Sequence, residues 1–341
     1  LWIAWSGHIV ADLAWGEAGP GQPLTTNHWL PWLSAGKPIT AVAVAQRVEQ
    51  GRLAWDDPVA VHLPEFHAAG KSGVTIRHLL THTAGLRQVE TGWPACTWEE
   101  TLRRICAAPL DAAAIPGQTA GYHVASTWFL LGEILQRCDQ RPIAEILADT
   151  ICTPCGMTEA RVSLSLEESA HLGPLLAPMY ERSPEGLKWL DWQQPPRISR
   201  PSPGSSFRGP IRDLGRFYQL LRQAGQGVHG RVLQPATVAE ITRRQRIGQF
   251  DLTFQHKVDF GLGFVIDSNA YGAATVPYGY GKYASPETFG HGGAQSSQGY
   301  YDPQRDLIVA YVFNGRPGEP QHNRRCRQLN EAIYEDLGLT S

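Results

Sequence analysis

Apolar and polar side chains alternate along the first fifteen residues. Trp2 and Ala4, then Ile9, Ala11, Leu13 and Trp15, fall two apart, with Ser6-Gly7-His8 between them. Period-two alternation broken by a short Gly-containing turn predicts a β-hairpin. Gly19-Pro20-Gly21-Gln22-Pro23 then breaks the chain. From Ser34 to Gln50 the period changes. Ile39, Val42, Val44, Ala45 and Val48 leave little polar surface before Gln46 and Glu49, which predicts a helix buried between layers. Pro38 is tolerated in its first turn, and Gly51 ends it. Further helical runs are predicted at Thr97–Ala107, Ser126–Arg137, Ile143–Ile151 and Ile211–Ala224. Pro195–Pro210 is rich in Pro, Ser, Gly and Arg and reads as a long irregular loop, a kind of segment that is often functional. Strand patterns return at Gly261–Asp267, Gln298–Tyr301 and Leu307–Asn314, followed by a last helix over Gln321–Leu337.

Strands at both ends with helices between them predict an α/β fold. One antiparallel sheet is built from both chain ends and flanked by helices, and it carries a large, mainly helical insertion. The expected division is a sheet domain, 1–77 with 248–341, and a helical domain, 78–247, with an active site at their interface. At 341 residues the chain is longer than a single core usually grows, which agrees with two lobes.

Composition narrows the function. The chain is 42% hydrophobic and 18% charged, as expected of a folded globular protein. A net charge of -2 gives no sign of a nucleic-acid groove. The basic clusters Arg243-Arg244-Gln245-Arg246 and Arg324-Arg325-Cys326-Arg327 read as solvated helix faces. No apolar run approaches the roughly 20 residues that span a bilayer. Leu1–Trp5 has neither a basic segment nor a cleavage site, so it does not read as a signal peptide. Cys152 and Cys155 form a CxxC, but no second pair follows at zinc spacing. The six cysteines read as reduced thiols, which favours a cytoplasmic location. Neither metal nor cofactor is expected.

Three short segments carry candidate chemistry. In Ser34-Ala35-Gly36-Lys37 a serine and a lysine stand three apart, which on a helix puts them on one face. A buried lysine loses its proton readily and can activate the hydroxyl. The other reading of this pair is an N-cap serine with a surface lysine. Tyr122 follows the turn Pro116-Gly117-Gln118 and precedes a helix. It reads either as a proton relay or as a half-buried structural tyrosine. Gly290-His291-Gly292-Gly293-Ala294 allows close backbone approach. The Ala294 N–H could pair with that of Ser34 as an oxyanion hole, or the segment could be an ordinary turn.

Their order and context carry more than each segment alone. Leu33-Ser34-Ala35-Gly36-Lys37-Pro38, Gly51-Arg52-Leu53-Ala54-Trp55-Asp56-Asp57-Pro58-Val59, Thr75 to Leu86 with its ending Thr81-His82-Thr83-Ala84-Gly85-Leu86, and Phe289-Gly290-His291-Gly292-Gly293 follow one another along the chain. Over nearly its whole length the sequence resembles the serine β-lactamase and penicillin-binding-protein-like superfamily, in its class C-like branch with esterases and transacylases. The resemblance implies Ser34 as nucleophile, Lys37 as general base and Tyr122 as proton relay. It also implies His291-Gly292-Gly293 as the third motif and Ala294 as the second oxyanion donor. The implied mechanism is acyl transfer through an acyl-enzyme, without metal or cofactor. His82 and Thr83 are expected to hold a loop rather than to react.

Two positions depart from the family pattern. Val124 stands where an asparagine is usual, and a valine is expected neither to hydrogen-bond a substrate amide nor to hold the lysine head group. His291 stands where β-lactamases usually carry a lysine. Both departures favour an ester over a β-lactam. The expected function is a carboxylesterase acting on ester-like small molecules, with water as acceptor. The alternatives are a transacylase passing the acyl group to an amine or alcohol in natural-product assembly, a β-lactamase or D-amino-acid peptidase, and a non-catalytic protein of the same fold. Trp32, Trp93, Trp98, Trp128, Trp189, Trp192, Tyr180 and Phe207 are candidates to line an acyl pocket.

Overall fold

The computed structural model describes residues 1–340. Its centre is a seven-stranded antiparallel sheet. The strands are β1 (Trp2–Trp5), β2 (His8–Asp12), β3 (Asp259–Phe260), β4 (Val265–Ile266), β5 (Phe289–Gly293), β6 (Ser297–Asp302) and β7 (Leu307–Val312). Their spatial order is β3-β4-β5-β6-β7-β1-β2, so the two chain ends meet inside one sheet. Trp2 pairs with Ala310 and Ile3 with Val309.

Alternation sorts the side chains between two faces. Trp2, Ala4, Ile308 and Ala310 join the main core. Ile3, Leu307, Val309 and Tyr311 pack on the other side with Cys326, Ile333 and Tyr334. Those last three residues belong to the helix Glu319–Asp336. The main-core face is covered by the helix Ile211–Arg222. Its Gly215 admits the Trp2 ring so closely that a Cβ there would come within 2.2 Å of it.

The buried helix begins later than the sequence pattern suggests. Leu33–Gly36 is a 3₁₀ turn, and the α-helix, α1, runs Lys37–Glu49. Every residue from Ile39 to Ala45 is buried. Burial of each Val or Ile there contributes about 1.5–3 kcal/mol, which makes α1 a rigid platform for its first turn. The helix α2 (Ser126–Asp139) packs against it. Asp139 takes the guanidinium groups of Arg47 and Arg52.

Other expectations need correction. Gly261–Asp267 is not one strand but the turn and second strand of a hairpin, because Gly263 has φ +84° and lies against Ala41. Strand β2 stops at Asp12, and Leu13 and Trp15 are exposed beyond it. Within 78–247, Met179–Ser183 and Gly186–Leu190 form a small hairpin that Gly315–Arg316 extends. The helix Ile211–Arg222 also falls in that span, yet it packs on the large sheet. Arg246 is not a solvated cation. It is buried, 3.0 Å from Asp251, and also donates to the carbonyls of Thr81 and Val258. Cys152 and Cys155 are free and buried in the core, and burial pushes Cys152 up to about 12. Among the described residues no helix is long and apolar enough to cross a membrane.

Candidate active site

Ser34 sits in the 3₁₀ turn, and the backbone around it is tightly held. Leu33, just before it, has φ +52°, a left-handed conformation that costs energy for a residue with a Cβ. The contacts of Trp32 stabilise it. Its N–H bonds Phe207 O at 2.8 Å, its indole N–H bonds Gly209 O at 3.0 Å, and its carbonyl accepts the Ser297 hydroxyl. Gly293 packs directly behind. A Cβ there would come within 2.3 Å of Trp32 O. Ser34 is 8% exposed, which leaves its hydroxyl reachable from one side only.

Lys37 is completely buried. Its Nζ lies 3.0 Å from Ser34 Oγ, 2.9 Å from Val124 O and 2.7 Å from Gly204 O. Desolvation holds its pKa well below 10.5, and no carboxylate opposes that effect. Two of the three partners are carbonyls, which only accept. In the neutral amine both N–H groups go to them, and the lone pair is left facing the Ser34 O–H. Trp128 lies beneath, with Nζ 5.3 Å from its ring centre.

Val124 therefore does hold the lysine head group, through its backbone carbonyl. The sequence expectation that a valine here cannot do so is corrected. The residue is 58% exposed and lines the cavity. Gly204 comes from the irregular Pro195–Pro210 segment, where Pro203 O also accepts the Thr40 hydroxyl at 2.7 Å.

Tyr122 lies in irregular chain four residues before α2. Its N–H donates to Asp251 Oδ1 at 3.0 Å, and its carbonyl accepts from Thr253 Oγ1 at 2.9 Å. His82 grips both flanking residues. Gly121 N–H bonds His82 O and His123 N–H bonds His82 Nδ1, each at 3.0 Å. The Thr81-His82-Thr83 run thus supports the tyrosine and does not line the cavity. The Tyr122 hydroxyl is buried and makes no hydrogen bond. Burial pushes its pKa well above 10, with the nearby Ser34 hydroxyl opposing.

The third segment is β5. His291 is buried, its ring 5.8 Å from that of Tyr122. Its Nδ1 lies 2.8 Å from Gly292 O, so Nδ1 carries the proton and Nε2 is a bare lone pair with no partner. Burial, with the neighbouring Lys37 acting in the same direction, lowers its pKa to about 3, so the ring is neutral at ordinary pH. Gly292 leaves room for Tyr278, whose ring a Cβ would approach to 2.4 Å.

Ser34, Tyr122, Val124, His291, Gly292 and Ala294 all line one cavity of about 330 Å³. Gly293 and Lys37 stand behind its wall. Of the eight aromatic residues named from sequence, none lines it. Trp32 and Phe207 stack 6.1 Å apart behind Ser34, and Trp93 and Trp192 flank Arg197. The aromatic walls are Phe254 and Tyr278 instead, with Thr253, Val265, Pro277, Glu319 and Asn323 completing the lining. Apart from Val265 in β4, these residues lie in turns and at a helix start, where local pattern gives no sign of a pocket. Among the described residues no His, Cys, Asp and Glu cluster is arranged to hold a metal ion.

A sheet closed by both chain ends, with a serine and a buried lysine at its edge, defines a class of serine acyl-transfer folds. The Beta-lactamase family model matches residues 1–332, and the chain belongs to that family. It is 29% identical over 331 residues to esterase EstB of Burkholderia gladioli, covering 85% of this chain and 80% of EstB. EstCE1, described as a hydrolase with promiscuous acyltransferase activity, superposes with a TM-score of 0.81 at 23% identity, over 98% of this chain and 92% of EstCE1. A family VIII carboxylesterase does so with 0.76 at 24% identity, over 95% of this chain and 91% of that one. At those identities the two structures establish the fold. Family and relatives together make this chain an enzyme of the serine hydrolase and acyltransferase class.

Proposed function

We infer that the protein is a carboxylesterase that forms an acyl-enzyme on Ser34. The observation that carries this reading is the set of three partners around Lys37 Nζ, in which Ser34 Oγ alone has a proton to give. Lys37 takes that proton as Oγ bonds to the ester carbonyl carbon. The N–H groups of Ser34 and Ala294 would face the resulting oxyanion. The C–O bond to the alcohol then breaks, and the proton returns to the leaving oxygen by way of Lys37 and Tyr122. Water, activated by the same groups, releases the acid and restores Ser34.

An ester suits the cavity better than a β-lactam, because no lysine or arginine lines it to meet a carboxylate. The relatives named as esterases support the same choice. Transfer to an alcohol or amine is the second reading. It is favoured by Val265, Pro277 and Phe254 in the lining, an apolar wall that disfavours water, and by the acyltransferase activity in the name of EstCE1.

Rapid mixing with 4-nitrophenyl acetate tests both. A burst of one nitrophenolate per site, followed by slower turnover, is expected of an acyl-enzyme. No turnover above that of the Ser34→Ala variant would end the esterase reading. Added alcohols or amines that divert acetate into ester or amide would favour transfer.

A further inference from the structure

The cavity wall facing Ser34 has a one-sided chemistry. It holds one carboxylate, Glu319, and among the described residues no lysine or arginine lines it. Glu319 stands in the first turn of the helix Glu319–Asp336 and is exposed. Its two oxygens lie 3.0 and 2.8 Å from the Tyr278 hydroxyl, which donates to it. The same hydroxyl accepts from Gln295 N–H at 3.2 Å, next to Ala294. The Tyr278 N–H in turn bonds Asn323 Oδ1 at 2.9 Å. The carboxylate is thus fixed relative to the Ala294 corner. No cation among the described residues lies within ion-pair distance of it.

His291 adds to the same polarity. Its only N–H is spent on Gly292 O, so this lining residue has no donor to offer an anion. The rings of Phe254 and Tyr278, 6.1 Å apart between ring centres, line the same cavity. The one charge in the lining is thus the Glu319 carboxylate, the lining imidazole has no N–H left to donate, and two aromatic rings stand beside them. An anionic ligand is repelled there, and a cationic one finds a carboxylate and aromatic rings.

We propose that the cavity selects esters carrying an ammonium group, which sits against Glu319 and the rings of Phe254 and Tyr278. This rests on the acyl-transfer reading of Ser34 and adds the substrate's charge to it.

Two matched series test it. On the alcohol side these are acetylthiocholine, its neutral isostere 3,3-dimethylbutyl thioacetate and an anionic carboxyalkyl thioacetate. On the acyl side they are 4-nitrophenyl esters of chains ending in trimethylammonium, tert-butyl or carboxylate. In at least one series kcat/KM should fall from cation to neutral by about tenfold, and further to the anion. In Glu319→Gln the cation-to-neutral ratio should drop toward one, and in wild type it should shrink as salt is raised. Turnover of neutral esters with no cation preference in either series would overturn this inference and leave the acyl-transfer reading standing. So would a preference that survives Glu319→Gln. Absence of all ester turnover in folded protein would overturn both.

Discussion

Two lysines of this chain have no exposed surface, Lys37 and Lys71. Each lies near an aromatic ring, with Nζ 5.3 Å from the ring centre of Trp128 and of Phe66 respectively. Each donates to backbone carbonyl, and burial lowers both pKa values. The difference is the rest of the shell. Lys71 bonds Ala108 O at 2.6 Å, with no hydroxyl beside it. Lys37 has two carbonyls for its two N–H groups and a serine hydroxyl for its lone pair. Burial therefore makes a neutral amine available, but the partner set decides whether it is a base for anything.

The sharpest way to break this comparison is to remove each lysine. Lys37→Met should lower kcat/KM for a short aryl ester by about 10³-fold. Lys71→Met should leave it within about twofold while costing stability of order 1 kcal/mol. Steady-state kinetics and urea unfolding read the two effects, and equal kinetic losses would show that burial alone was being measured. Next in size, Tyr122→Phe should lose about 10²-fold in kcat/KM. A loss below threefold would remove the hydroxyl from proton transfer and leave the ring as support for Lys37.

The pH dependence follows from the direction of the Lys37 shift. With Lys37 as the proposed base the reactive form is the deprotonated amine, so kcat/KM should fall by about tenfold per pH unit on the acid side of a midpoint well below 10.5. Ser34, Lys37 and Tyr122 set that midpoint together. Because His291 stays neutral down to about 3, no second step is expected near 6.5. Stability has the same sign. Between the folded and the unfolded pKa of Lys37 the unfolded chain binds the extra proton, so stability rises with pH there. Lys37→Met should remove that slope. A pH–rate profile with a step near 6.5 that His291→Asn abolishes would contradict the neutral-imidazole assignment. The smallest effect is expected of Val124→Asn. The carbonyl already serves Lys37 and the side chain points to the cavity, so short-ester kcat/KM should change by about threefold or less. A large gain would mean that a side-chain amide is needed after all.

What could be read from sequence divides along physical lines. The sheet built from both ends was legible, because Trp2, Ala4, Ile9 and Ala11 fall two apart at one end and Leu307–Asn314 is a short apolar run at the other. The small hairpin Met179–Ser183 with Gly186–Leu190 was not read, although Pro184-Glu185-Gly186 is a turn signal. Ser34 and Lys37 were legible because their relation is local, three residues on one turn. The carbonyls of Val124 and Gly204 were not, because a backbone oxygen is the same atom in every residue type. The reading of Val124 by its side chain went astray for that reason. The pocket walls were missed for another. Phe254, Tyr278 and Glu319 come together only through tertiary packing, whereas tryptophans near the motifs, such as Trp32 and Trp128, were drawn into the core as its largest apolar groups.

The central claim is that Ser34 is the nucleophile and that Lys37 activates it. Labelling with a fluorophosphonate probe, followed by mass mapping of the adduct, tests it most directly. The account predicts a single adduct on Ser34 in wild type, formed about 10³-fold more slowly in folded Lys37→Met and unaltered in rate in Lys71→Met. Label on another residue, or equal rates in wild type and Lys37→Met, would contradict it.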